Sequence, residues 1–236
     1  MAQSVGNAKN ILVGASPLFL SNIDINDSDY VSNAEAGIRN PASGTPVKVP
    51  AFITGQSYTT TLNAQDQVAG EFGYRNVGFT NNGLQITYNP TYDSVTVDQL
   101  LDTAKLFKSA MEVMIATEMS EGTLENIETV FVQASSTLSD NAVAGTGNVK
   151  TLGLEAGALG AAPTERQLIA VGLAPTASST SSERVYYARR VLSVQQSQFS
   201  LARTTPTTFP VTFRLLPDAS YAGQEYGKII DRVLVA

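Results

Sequence analysis

The chain contains no cysteine, no histidine and no tryptophan. Without cysteine or histidine there is no Cys/His zinc site, no thiol nucleophile, no disulfide framework and no imidazole base for a Ser-His-Asp relay. An enzyme would have to work with carboxylate, Lys, Tyr or Ser chemistry alone. Charge is also scarce, at 15% of 236 residues, and its balance is acidic, net −6. That sign opposes a protein that grips nucleic acid or an anionic membrane through a basic surface. Long apolar runs are missing too. Ile11–Ala15 with Pro17–Leu20 behind it is far too short to cross a bilayer, and the N-terminus shows no apolar signal core. A soluble protein without an export signal is expected.

What is present is 43% hydrophobic residues, enough for a packed core, in a length that suits one large domain. Short apolar runs rich in Thr and Ser are punctuated by Gly, Pro and Asn, the texture of a β protein. Ile11–Ala15 reads as a first strand broken at Pro17. Val47–Ile53 is extended, but Pro46 and Pro50 confine it to an edge or a loop arm. Asn81-Asn82-Gly83 reads as a tight turn with positive φ, leading into a period-2 strand over Leu84–Tyr88. Ser94–Asp98 and Phe209–Leu215 alternate in the same way.

One helix is expected. Leu124, Ile127 and Phe131 share a face as its core anchors, with Glu125 and Glu128 opposite, over about three turns. Thr123 caps its start, and Glu125 sits where the helix dipole favours an anion. Lys105–Met119 is ambiguous, because Met and Ala favour helix while Met111, Val113, Ile115 and Met119 alternate with polar or small residues. Loops are expected over Ser135–Asn148 and Ala174–Glu183, and low regularity from about Asn22 to Gly73.

Candidate chemistry is thin. Glu121, Glu125 and Glu128 fall near one helix face, as in a carboxylate-bridged di-metal site, but such sites also need Glu-x-x-His on a second helix. A solvated helix face is the plainer reading. A glycosidase-like carboxylate pair cannot be picked out of 21 acidic residues. Gly145–Asn148 and the glycines at 153, 157 and 160 lack the Gly-Lys-Ser/Thr and the strand-to-helix turn of a phosphate loop. Asn26-Asp27-Ser28 meets the glycosylation pattern by chance. Arg184-Val185-Tyr186-Tyr187-Ala188-Arg189-Arg190 interleaves Arg with Tyr as a single-strand nucleic-acid groove does. The alternative is a surface strand whose Arg residues pair with acidic groups of a neighbouring subunit. No catalytic, cofactor or metal residue is assigned.

Three blocks resemble a known family in order and spacing. They are Asn10–Ala15; Val77–Tyr88 with Val95–Gln99, Met111–Glu118 and Thr123–Ile127; and Arg189–Leu201 with Thr208–Asp218. Together they resemble the major tail proteins of long-tailed bacteriophages, the subunits of the tail tube. The resemblance implies a mainly β fold of two packed antiparallel sheets, sandwich- or barrel-like, flanked by one α-helix. It implies a single domain over 1–236, with irregular insertions or long loops at about 22–73 and 135–183. Residues 22–73 and 140–183 have no counterpart in the family pattern.

It further implies a structural virion protein, not an enzyme, that self-assembles into stacked hexameric rings. These form the hollow tube through which DNA is delivered. The implied partners are other copies of the chain, the tape measure and tail terminator or completion proteins, and DNA that passes without specific binding; no membrane and no cofactor are involved. Assembly would occur in the host cytoplasm and the protein would reside in the virion tail.

In that fold the segment before the helix is a strand, so 109–119 is assigned as strand against propensity. Glu112 and Glu118, at even positions, then face away from the core and into the lumen. An arm over residues 39–57 would contact the adjacent ring. The tube of a contractile machine (a sheathed phage, a pyocin or a type VI secretion system) would share the fold. A carbohydrate-active β-sandwich is disfavoured by the absence of tryptophan.

Overall fold

A computed structural model describes residues 16–21, 74–97, 102–132, 138–143, 147–156, 159–160, 163–174, 182–195, 197–201, 203–204 and 206–233. The first-strand reading of Ile11–Ala15, the extended segment Val47–Ile53, the low-regularity region 22–73 and the ring-contacting arm at 39–57 all lie outside the described residues. The described chain is mainly β, with one large antiparallel sheet, a small second sheet and one helix.

The strands are β1 (Leu18–Ser21), β2 (Tyr74–Asn76), β3 (Thr80–Thr96), β4 (Thr103–Met119), β5 (Leu138–Val143), β6 (Gly147–Leu152), β7 (Arg166–Leu173), β8 (Ser182–Ser193), β9 (Phe209–Leu215) and β10 (Gly227–Val233). The helix α1 spans Leu124–Val130. The main sheet has eight strands. Seven run in the order β2-β1-β7-β8-β9-β4-β3, and β10 joins β8 outside that path; β5 and β6 pair by themselves. Every pairing is antiparallel.

Connectivity dictates the sheet's shape. Its terminal strands, β2 and β3, are joined only by Val77–Phe79, and four Cα steps reach at most roughly 14 Å. The sheet must therefore curl until its two ends approach. Val77 lines that closure, its amide donating to the Leu18 carbonyl at 3.0 Å while its side chain is buried. One interior results, filled from five strands, Val77 and the helix by Leu18, Leu20, Val113, Ile115, Met119, Val130, Leu168, Ala170, Val191, Phe209, Val211 and Phe213.

The intervening residues of β1, β7 and β8 (Phe19, Ile169, Val171, Val185 and Tyr187) form a second cluster. Because successive side chains alternate faces, these three strands are buried on both. That is why Leu168–Val171 reads as an unbroken apolar run.

β4 is a strand throughout, as assigned against helix propensity. Val113, Ile115, Thr117 and Met119 are buried, with half-buried residues between them. β9 matches its expected span. Four readings are corrected. Asn82 (φ 60°) and Gly83 (φ 69°) do adopt positive φ, but they form a bulge inside β3 rather than a hairpin turn, with the register shifting between Asn81 and Gln85. Ser135–Asn148 is not a loop. It contains β5 and the start of β6, and β7 also lies within the stretch 135–183.

The helix is 7 residues long, about two turns instead of three. Arg184–Arg190 is no surface strand either: β8 has paired strands on both edges, and Val185, Tyr187, Ala188 and Arg189 are buried.

Candidate functional site

Thr123 caps α1 as expected, its hydroxyl accepting from the Asn126 amide at 3.3 Å. The docked face, however, is turned from the expected one. Ile127 and Phe131 pack partly buried against the core, and Leu124 is half-buried. The buried positions are Asn126, Glu128, Thr129 and Val130. Glu128 thus lies in the interior and not on a solvated face, because two arginines meet the helix there.

Arg166 of β7 is hydrogen-bonded and ion-paired to Glu128, and also donates to the Ser21 carbonyl at 2.8 Å. Arg75 of β2 bonds the Asn126 side-chain oxygen, and donates to the Glu125 carbonyl at 3.1 Å and the Thr129 hydroxyl at 3.2 Å. The Asn126 side-chain nitrogen donates to the Val77 and Glu121 carbonyls at 2.9 and 2.8 Å. Lys150 of β6 pairs with Glu125. The helix is therefore fastened to β2 and β7 by a buried polar network, and to β6 by the partly exposed Lys150–Glu125 pair.

Burial, the largest influence, lifts the Glu128 carboxyl above its ordinary pKa despite Arg166 and Arg75 beside it. Burial, then the like charge of Arg166, lowers the Arg75 guanidinium. At Glu125 burial pulls upward, but the Lys150 hydrogen bond with the charges of Lys150 and Arg75 outweighs it, and that carboxyl sits below the usual range.

The Arg-Tyr cluster is committed inside the chain. Arg184 makes two bonds to Asp231 at 2.6 and 2.7 Å, which raises the guanidinium and lowers the carboxyl. Arg190 makes two to Glu165 at 2.6 and 2.9 Å. Arg189 is buried, lies 3.9 Å from the Tyr221 ring centroid and donates to the Gln224 carbonyl. These partners belong to β10, the residue just before β7 and the 218–226 turn, not to a neighbouring subunit. The arginines brace the sheet instead of forming a groove.

Among the described residues, no group of three or more Asp and Glu is placed to hold a metal ion. No described helix is long and apolar enough to cross a membrane.

The feature that packing among the described residues does not explain is the β3–β4 hairpin. Both strands have 17 residues, and the distal part of each is exposed on both faces. From Tyr88 to Thr96 it projects roughly 27 Å, at ~3.4 Å per residue. Opposed residues in the ladder share a face. Ile86 faces Ile115, Tyr88 faces Val113 and Pro90 faces Met111; beyond a bulge, Tyr92 faces Lys108 and Ser94 faces Leu106. Val113 and Ile115 are core residues, so the core-facing side of the hairpin simply continues outward past the core. Tyr88 is 65% exposed there, Tyr92 58% and Leu106 64%.

Glu112 and Glu118 lie on the opposite face of β4, as the alternation requires. Glu112 stands 3.6 Å from Arg214 of β9, and Glu118 accepts from the Asn81 side chain at 3.1 Å. Sequence reasoning identified the strands of this arm but not their length, because Pro90 and the Asn-Gly pair look like interruptions. No family model and no curated protein matches the chain.

Proposed function

We propose that the chain is a tail tube subunit of a long-tailed bacteriophage. On this reading it is a structural, non-enzymatic virion protein whose copies join into hexameric rings that stack into a DNA-conducting tube. The finer architecture that goes with it is two packed antiparallel sheets flanked by α1, and the curled sheet with a shared interior supports that assignment.

The observation that carries the reading is the arm. A lone two-stranded ribbon is marginal in water, and this one displays Tyr88, Tyr92 and Leu106 on a continuous face. The described residues leave these apolar side chains uncovered, and a second copy of the chain would give them burial. β3 also leaves one full edge of backbone donors and acceptors unpaired among the described strands, a template for pairing with another chain.

Other copies are therefore the first partners, with the tape measure and the terminator or completion proteins at the tube's ends. Glu112 and Glu118 face the lumen, where negative charge keeps DNA from binding as it passes. A tube of the contractile type is distinguished by imaging the particle for a sheath.

Negative-stain microscopy of the purified protein tests the proposal. Rings or tubes of uniform diameter are expected, and Tyr92→Ser with Leu106→Ser should abolish them while leaving folded subunits. Monodisperse globules from the unaltered protein at every concentration would overturn it.

A further inference from the structure

The turn between β2 and β3 holds one aromatic ring in water. Gly78 stands at φ +82°, and a Cβ there would come within 2.1 Å of the Glu121 carboxyl, so the position demands glycine. The Asn76 side-chain oxygen accepts from the Gly78 amide at 2.9 Å, and Oε1 of Glu121 accepts from the Phe79 amide at 2.9 Å. The Phe79 carbonyl accepts from the Ser120 amide at 2.8 Å. These bonds fix the backbone around a side chain that remains 80% exposed. A solitary exposed apolar residue is ordinary. One with a dedicated, rigid turn is different, because a preorganised anchor has little freedom left to lose on docking.

An apolar cleft lies elsewhere on the molecule. Along one edge of β8, residues 182–188 pair with β10 and 191–193 pair with β9. The two branches part, and a cleft of about 360 Å³ opens between β8–β10 and the base of β3–β4. Its lining includes Ile86, Val113, Tyr186, Tyr226 and Ile229, and its one charged lining residue is Lys228. The lining is apolar and aromatic, and charge is complementary: the Glu121 carboxylate stands beside Phe79, and Lys228 stands at the cleft. The cleft is also continuous with the exposed face of the arm through Ile86 and Tyr88.

We propose that Phe79 of one copy seats in the β8 fork of a second copy. Knob and hole occupy different parts of the subunit, so the contact is heterologous and can propagate around a ring. The proposal rests on the self-assembly reading above and assigns it a specific lateral contact.

Because the chain has no cysteine, engineered thiols report without background. Thr80→Cys, next to Phe79 and leaving its ring in place, and Ile229→Cys are placed on differently tagged full-length copies, mixed and mildly oxidised, with assembly scored separately by sedimentation; adding Phe79→Ser to the Thr80 variant should remove the link. A disulfide joining the two tags is expected, in several-fold excess over either variant alone. Lys228→Glu should cut its yield several-fold.

The rival occupant of the cleft, the arm of another copy, is monitored by pairing Tyr92→Cys with Ile229→Cys. Mixtures that assemble yet give no 80–229 link, or that link 92 to 229 in preference, overturn the Phe79 contact and leave self-assembly standing. Failure of the unaltered chain to assemble at all overturns both.

Discussion

Removing Glu128 should be among the most damaging single changes in the protein. Its side chain is 6% exposed and that of its partner Arg166 is 8%, so solvent screens the pair little. Glu128→Ala leaves the Arg166 guanidinium buried beside that of Arg75 with its carboxylate gone. Breaking a buried pair this way costs about 3–5 kcal/mol. Arg166 keeps the Ser21 carbonyl, and Arg75 keeps Asn126 and Thr129, which places the loss near the lower bound, about 3 kcal/mol.

For a chain of this size a urea m-value of about 3 kcal/mol/M makes that roughly a 1 M fall in midpoint. The double variant Glu128→Leu with Arg166→Met exchanges both charges for apolar volume and should return to within ~1 kcal/mol of the parent. Urea unfolding of the parent, both singles and the double completes the cycle. A loss below ~1 kcal/mol in Glu128→Ala, or a double variant that loses the sum of the singles, would refute the network as the helix's fastening.

The neighbouring glutamate gives a pH dependence of opposite sense to a raised carboxyl. Glu125 titrates below its ordinary range when folded, so its contribution is present above a pKa of about 4.3 and is lost as pH falls through the lower folded value. Glu125→Gln should flatten that acid limb in pH-dependent unfolding; an unchanged limb would remove Glu125 as its source. Gly78→Ala should cost more than about 1 kcal/mol, since it forces a side chain into positive φ against Glu121; thermal melts with no loss would refute this. On the tail tube proposal, Glu112→Lys with Glu118→Lys should leave tubes intact but slow genome ejection, most at low salt where screening is weakest; unchanged ejection would place that face away from the proposed bore.

Much of the fold was legible because strand and helix periods leave local traces. β9 announces itself as Phe-Pro-Val-Thr-Phe-Arg-Leu with alternate residues buried, and Thr123 stands at the helix start with Glu125 in the first turn. On β4 the period-2 pattern beats propensity because odd residues enter the core and even ones do not.

The helix network was not legible. Arg75 lies 51 residues from Asn126, and Arg166 lies 38 from Glu128, so nothing near α1 in sequence signals that its polar residues will find buried partners. β5 and β6 were hidden by the opposite problem, being short and mixed in polarity, with Gly147 and Asn148 at the start of β6. Asn82-Gly83 shows a third limit: positive φ is encoded, but whether it reverses the chain or only bulges it depends on the partner strand.

The arm was missed as a unit, and the reason bears on function. Inside a monomer, alternation marks a strand because one face meets the core. Past Tyr88 no such core exists among the described residues, yet apolar residues persist at Tyr92 and Leu106 on the same side. Against the described residues alone, those positions gain nothing from being apolar, and water would favour polar residues there. The pattern becomes intelligible if the second face of the ladder is supplied by another copy of the chain, so that the hydrophobic period of β3 and β4 records an assembled core. On that view the monomer's stability and the assembly's are separable. The ionic fastening of α1 and the curled sheet hold the subunit, while the arm contributes mainly when subunits meet, which is why substitutions at Tyr92 and Leu106 should alter assembly and leave the unfolding midpoint nearly where it was.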